Sequence, residues 1–504
     1  MAFKTYPVIN TGDTVKDYTV KVNGVEVGLD TARVSAISFN RRWPGHQREI
    51  EQSELINFLR IETDGELEFE IMPKDAFEEV IIRPQTLGIK PTVENGVIRF
   101  TLKKAEYFTV EPFGRNRALH IFADNMQDYD IDINDENVLY FGAGEHEAGF
   151  ITLHSNQTLF IDEGAVVYGL VRAKDAKNIK ILGRGILDNS HNKEQILFEC
   201  NESNNTSAVN NAKREFTVEL EYCENVFIDG ITIRDSLVYN IRPIACRNIH
   251  ISNVKIIGCW RFNSDGIDMH NCENVLIERC FIRTFDDSIC VKGFDCYYEG
   301  DIAEMVKKAT YHNGEAYENF NNVRVRNCVI WNDWGRCLEI GAETKAEEIF
   351  DVAFEDCNII HVTHNVLDCY NIDYADVHDI TWRNITVEYD DVIGCPIIQK
   401  NDSQEYVNDD IDYCPPLMSA ITTYHHEYSA GSSRMGKTRN LTFENINLLG
   451  RHKPKVYFEG YDEEHQTQDI IIKNVYHNGV LLEKFEDENF ILKPFTKNIK
   501  YIKD

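Results

Sequence analysis

The stretches NVFIDGITI at residues 225–233, NIHISNVKI at 248–256 and NVLIERCFI at 274–282 are copies of one phrase. Each runs Asn, apolar, x, apolar, x, polar or Gly, apolar, x, apolar. The phrase recurs as NVRVRNCVI from Asn322, DVAFEDCNI from Asp351, DITWRNITV from Asp379, NLTFENINL from Asn440 and, more weakly, DIIIKNVYH from Asp469. An earlier copy, NIKILGRGI, starts at Asn178. Alternation with period two is the mark of a strand with one buried face. Self-similarity at a fixed period marks a repeat architecture.

Superposed, the copies place Val226, Ile249, Val275, Val323, Val352, Ile380, Leu441 and Ile470 at one inward position. Two residues later come Ile228, Ile251, Ile277, Val325, Phe354, Trp382, Phe443 and Ile472. The closest copies start 23 residues apart (225 to 248) and 26 apart (248 to 274). A crossover helix between parallel strands needs a dozen or more residues, and two or three strands leave no room for one in so short a gap. A stacked coil fits instead, each turn of chain laying its strands in parallel register on the last. The spacing therefore predicts a right-handed parallel β-helix, an all-β fold, over residues 136–504. The leading Asn or Asp suits a turn in which its side chain stacks on its counterpart one coil away.

Fourteen cysteines contain no CxxC pair. Cys280, Cys328 and Cys357 occupy an inward position that other copies fill with Ile or Val, and Cys223, Cys246 and Cys272 form a second ladder. They read as reduced, small apolar core residues rather than metal ligands or disulfides.

Residues 1–135 lack the phrase. YTVKVNGVEV, LEFEIMP and VIRFTLKK alternate between Gly, Asp and Pro turns, which predicts a small antiparallel β-sandwich domain. The acidic DYDIDINDEN marks the boundary. Two insertions interrupt the coils, at 294–320 with the helix-like EGDIAEMVKKA and at 396–437 with YHHEYSAGSSRMGK. Such insertions gather on one face and shape a binding cleft.

With 83 acidic against 52 basic residues the chain carries a net charge of −31, which argues against nucleic acid or an anionic membrane as partner. The N-terminus MAFKTYPVIN shows no basic segment followed by an apolar run, so a cytoplasmic protein is expected. Oligomeric state is not legible.

The strongest chemical signal is FNSDGIDMHNCENVLIERCFIRTFDDSICVKG, residues 262–293. Asp265 precedes Asp286 and Asp287 by 21 and 22 residues, close to one coil, so the three carboxylates are expected side by side on one face. Clustered like charges raise one another's pKa. Glycoside hydrolysis uses such a cluster, one carboxylic acid protonating the leaving oxygen while an ionised partner activates water. Spacing alone leaves a second reading open, in which these residues are turn formers on a solvated face.

SDGID, one coil, then DDSICVKG resembles the paired NTDG and DDC motifs of the polygalacturonase family of glycoside hydrolases. GRGILD at 183–188 and ITLHSNQTLFIDEGAVVYG at 151–169 resemble that family's opening coils. The dextranase and isopullulanase family is similar in the same places and carries a preceding β-sandwich. The resemblance implies a hydrolase in which Asp286 is the general acid and Asp265 and Asp287 hold the water, with inversion at the anomeric carbon. Two departures stand out. In WGRCLEIGAET, Arg336 takes the place of the family's Gly-His-Gly histidine. In NVLDCYN, Asp368 lies near the site of its Arg-Ile-Lys, the clamp for a uronate carboxylate. Losing that clamp points to a neutral sugar.

Lys292, Arg336, Glu339, Glu343, Asp368, His270, Trp334 and Tyr370 are further substrate-binding candidates by position. His361 and His364 in HVTH, and His425-His426, lack a third ligand at metal-like spacing, so no metal or other cofactor is expected. Two other functions compete. A polysaccharide lyase on this scaffold would need a basic residue and usually a cation near the acidic cluster. A non-catalytic carbohydrate-binding β-helix would need neither.

Overall fold

The computed structural model describes residues 3–9, 12–36, 50, 53–191, 215–294, 311–317, 319–390, 413–425, 429 and 435–503. Among these there is no α-helix, and none long and apolar enough to cross a membrane. The stretch expected to be helical, 299–309, and most of both insertions lie outside the described residues.

One sheet of thirty strands runs from Val138–Phe141 to Thr496–Ile502, its successive coils paired in parallel. This is the predicted β-helix. The inward ladder is in register as read: Val226 opposes Ile249, Ile249 opposes Val275, and Val275 opposes Val323, each at most 2% exposed. Cys280, Cys328 and Cys357 are buried free thiols in the same core, as are Cys223, Cys246 and Cys272.

The asparagine turns stack through their side chains. Asn225 Nδ2 donates to Asn178 Oδ1 at 2.9 Å, Asn248 to Asn225 at 3.0 Å, Asn274 to Asn248 at 3.1 Å and Asn322 to Asn274 at 2.8 Å. All five take left-handed backbone with φ between 54° and 58°. Among non-glycine residues Asn tolerates that conformation best, because its short polar side chain bonds locally.

The N-terminal strands form a six-stranded and a five-stranded sheet, the last ending at Asn125. They are not purely antiparallel: Leu119–Asn125 pairs parallel with Ser53–Thr63. The six-stranded sheet packs on the third strand of successive coils, with Phe58, Tyr107 and Phe122 against Phe281, Trp331 and Ile360. Buried ion pairs cross the same junction. Lys255 Nζ lies 2.9 Å from Asp124, and Arg184 3.0 Å from Glu62. Arg83 contacts Glu111, Glu388 and Asp390. His361 bridges Asp390 at 2.8 Å and Glu111 at 3.0 Å.

Candidate active site

The first strand of each coil builds the site. Ile267, Ile289, Leu338, Leu367 and Met418 are in register and point into the core. Period-two alternation then sends Asp268, Cys290, Glu339, Asp368 and Ser419, also in register, to the other face. Asp265, Asp287 and Arg336 stand two residues before their strands, at equivalent places on three coils. Gly266 N–H donates to Asp287 O at 2.8 Å and Ser288 N–H to Arg336 O at 2.8 Å. The 22-residue step from Asp265 to Asp287 is therefore one coil.

The turn carrying Asp286 and Asp287 is tied from below. Thr284 Oγ1 and Asn332 Nδ2 donate to the Asp286 carbonyl at 2.6 and 2.8 Å. Gly335 passes so close that an added Cβ would lie 2.4 Å from Asp286 C and Asp287 N. Phe285 stacks on Trp334 with ring centroids 5.7 Å apart.

One oxygen each of Asp265, Asp286 and Asp287 lies within 4.8 Å of the others, as the spacing predicted. Lys292 Nζ supplies the cation among them, at 3.3 Å from Asp265, 3.0 Å from Asp268, 3.6 Å from Asp287 and 3.8 Å from Glu343. Among the described residues no cation forms an ion pair with Asp286. Its oxygens accept the Asn263 N–H at 3.2 Å and the Asp287 N–H at 3.0 Å. Burial, and then the charge of Asp287, push the Asp286 carboxyl up to about 8, against the pull of Lys292 and the Asn263 N–H. Burial and the charges of Asp268 and Asp286 carry Asp265 well above the carboxylate range. Asp287 accepts the Arg336 backbone N–H at 2.8 Å.

Arg336 is held by acids. Its Nε lies 2.9 Å from Asp368 and its Nη1 3.2 Å from Glu339, while its guanidinium covers the Tyr370 ring at 4.8 Å. Ser419 Oγ donates to Asp368. Burial raises Glu339 and Asp368, with Arg336 opposing in both. Burial and the Arg336 charge hold His364, half-buried near Asp287, down to about 3.

Three expectations change. Lys292 is buried among carboxylates rather than presented as a hydroxyl-binding amine. His270 is buried, with Nδ1 on the Gly293 carbonyl at 2.9 Å and Arg242 Nε 3.5 Å from Nε2, so it sits under the site rather than in a sugar's path. Glu339 and Asp368 face the cleft side but are engaged by Arg336. Trp334 and Tyr370 are half-buried beside the cluster, and Glu343 flanks Lys292. Asp268, Asn263 and Ser419 were missed. Ile267 and Met269 point inward, so alternation in IDMH would have exposed Asp268; the turn contact of Asn263 left no such signal.

Residues 145–414, more than half the chain, match the family model described as glycosyl hydrolases family 28. Among curated proteins, the chain is 29% identical over 184 residues to a probable polygalacturonase of Vitis vinifera, covering 32% of this chain and 38% of that protein. It is 26% identical over 210 residues to a polygalacturonase of Gossypium hirsutum, covering 39% of this chain and 49% of that protein. The chain thus spans less than half the length of these relatives. Among solved structures it resembles Dex49A from Penicillium minioluteum, with TM-score 0.58 and 14% identity over 99% of this chain and 91% of that one. It also resembles an exopolygalacturonase from Thermotoga maritima, with TM-score 0.51 and 19% identity over 73% of this chain and 84% of that one. These two likenesses show the fold.

Proposed function

The chain belongs to glycosyl hydrolases family 28, a glycoside hydrolase acting on carbohydrate, and from that premise we propose that it cleaves a neutral glycan with inversion, using Asp286 as general acid. The observation that carries this reading is the contrast within one turn. Asp286 is buried beside a second carboxyl and held protonated to about 8. Its neighbour Asp287 receives a backbone N–H and faces the Lys292 ammonium. Two adjacent carboxyls in unlike surroundings divide the acid and base roles.

In the proposed reaction, Asp286 gives its proton to the departing glycosidic oxygen as the bond to the anomeric carbon breaks. Asp287, with Asp265 beside it, orients a water and takes its proton as the water oxygen bonds to that carbon. The three nearest oxygens, within 4.8 Å, lie closer than the ~6.5–9.5 Å typical between the carboxyls of inverting enzymes. Inversion needs the water held by Asp265 and Asp287 on the face of the anomeric carbon away from the leaving oxygen, so the two roles fall to the outer oxygens of these carboxyls rather than to the three that cluster within 4.8 Å.

Charge supports the neutral substrate. Seven carboxyl groups, Asp265, Asp268, Asp286, Asp287, Glu339, Glu343 and Asp368, share Lys292 and Arg336, and both cations already contact acids of this set. A uronate would bring another negative charge to a place with no unengaged cation among these residues.

The test is a screen of matched oligosaccharides differing only in whether C6 is an alcohol or a carboxylate, with Asp286→Asn as control. Faster cleavage of the alcohol member is expected. Preference for the uronate member by tenfold or more in kcat/KM would overturn the neutral assignment while leaving the hydrolase in place.

A further inference from the structure

Lys292 ends the strand Ile289–Lys292 and lies in register with His270 of the coil before. Its ammonium is buried and meets four carboxylates brought from separate places. Asp265 comes from the turn before one strand and Asp268 from within it. Asp287 comes from the next turn, and Glu343 from just past the first strand of the coil after. One buried ammonium cannot balance four ionised carboxylates, so the number of protons kept by the cluster depends on it. Asp268 is its nearest partner, at 3.0 Å, and is fully buried, so Asp268 cannot touch a sugar.

We propose that Asp268 and Lys292 form a buried positioning pair of opposite charge that sets, from beneath, which catalytic carboxyls keep their protons, without contacting the sugar. This rests on the assignment of Asp286 and Asp287 above. The two members act on the catalytic acids with opposite sign: Asp268 pushes Asp265 and Asp286 up, and Lys292 pulls both down. Burial would lower Lys292, yet Asp268, Tyr239, Glu343 and Asp265 together hold it well above its ordinary value, so it stays a cation throughout the working range.

The remaining groups around the ammonium do not supply that control. The Tyr239 ring lies 5.1 Å from it. His270 is kept neutral by burial and by Arg242 and Lys292. Cys290 is a thiol raised by burial and neighbouring acids, and Glu339 answers to Arg336 before Lys292.

The experiment compares full-length wild type, Lys292→Met, Asp268→Asn and the double variant. It reads kcat/KM against pH on the oligosaccharide the wild type cleaves fastest, and thermal stability against pH with no substrate. Loss of the cation raises Asp265 and Asp286, so the profile of Lys292→Met moves to higher pH by up to about three units, the order expected for one charge about 4 Å away at an effective dielectric near 20. Asp268→Asn moves it to lower pH by a similar amount, and the double variant returns near the wild type. KM changes less than kcat in each.

The stability readout stands apart from activity. Carboxyls with raised folded pKa cost stability as pH rises from their unfolded values through their folded ones. That loss becomes steeper in Lys292→Met and shallower in Asp268→Asn. Profiles that stay in place, or move in the same direction in both variants, overturn the proposal. So does a Lys292→Met whose defect is confined to KM, since that marks a sugar contact. If no oligosaccharide is cleaved, the functional reading fails and the stability curves still decide the pair.

Discussion

Replacing Asp286 by Asn removes the proton donor while keeping its shape and its place under the Asn263 N–H. The structure sets the size of the effect. An ordinary Asp, at 3.8, would be protonated in less than about one molecule per thousand at pH 7, whereas at about 8 roughly nine in ten carry the proton. Burial and the Asp287 charge therefore raise the working acid population by about a thousandfold at neutral pH. General acid catalysis contributes about 10²–10⁴-fold. On a natural sugar leaving group, Asp286→Asn is expected to lose kcat by that factor. On an aryl glycoside whose phenol leaves without protonation, the loss should be about tenfold or less. The wild-type rate on the sugar substrate should fall as pH rises through about 8, where Asp286 gives up its proton, and the variant should lack that limb. Equal losses on both leaving groups, or a basic limb that persists in Asp286→Asn, would refute the assignment.

Gly335→Ala would drive a Cβ into the backbone joining Asp286 to Asp287; a stability loss of about 1–3 kcal/mol is expected, with a tenfold or larger fall in kcat, read by calorimetry and kinetics. Asn274→Ala breaks the ladder bonds to Asn248 and Asn322 and puts Ala at φ 57°, for about 1–2 kcal/mol, while Asn274→Gly keeps the backbone and loses less. At the sandwich junction, burial would lower His361, but Asp390 and Glu111 raise it, so its stabilisation is complete below its unfolded value and lost as pH rises through its folded one. Asp390, drawn down to about 2 chiefly by His361 against burial, contributes above its unfolded value and loses that contribution as pH falls. His361→Gln should therefore cost about 3–5 kcal/mol near pH 6 and visibly less at alkaline pH in melting curves.

The coil and the clustering of the three aspartates were legible because both rest on period: alternation fixed which side chains point inward, and a one-coil step aligned Asp265 with Asp287. Asp268 obeys the same alternation, but an Asp beside a strand of Ile and Met reads as surface until the walls of the cleft are known. Lys292 reads as solvent-facing for the same reason, since four carboxylates from three coils converge on it only in space. The ion pairs of His361 left no local signal, because its partners Glu111 and Asp390 stand 250 and 29 residues away in the chain. The pairing of Arg336 with Asp368 and Glu339 is likewise spatial, since Asp368 reaches it from the next coil.

If Asp286 protonates the leaving oxygen while Asp287 and Asp265 deliver water to the opposite side of the sugar, cleavage inverts the anomeric carbon. Proton NMR of the first-formed product, recorded faster than mutarotation, tests it most directly. The predicted result is an anomer inverted relative to the substrate linkage. A retained anomer would contradict it, making one of these aspartates a nucleophile.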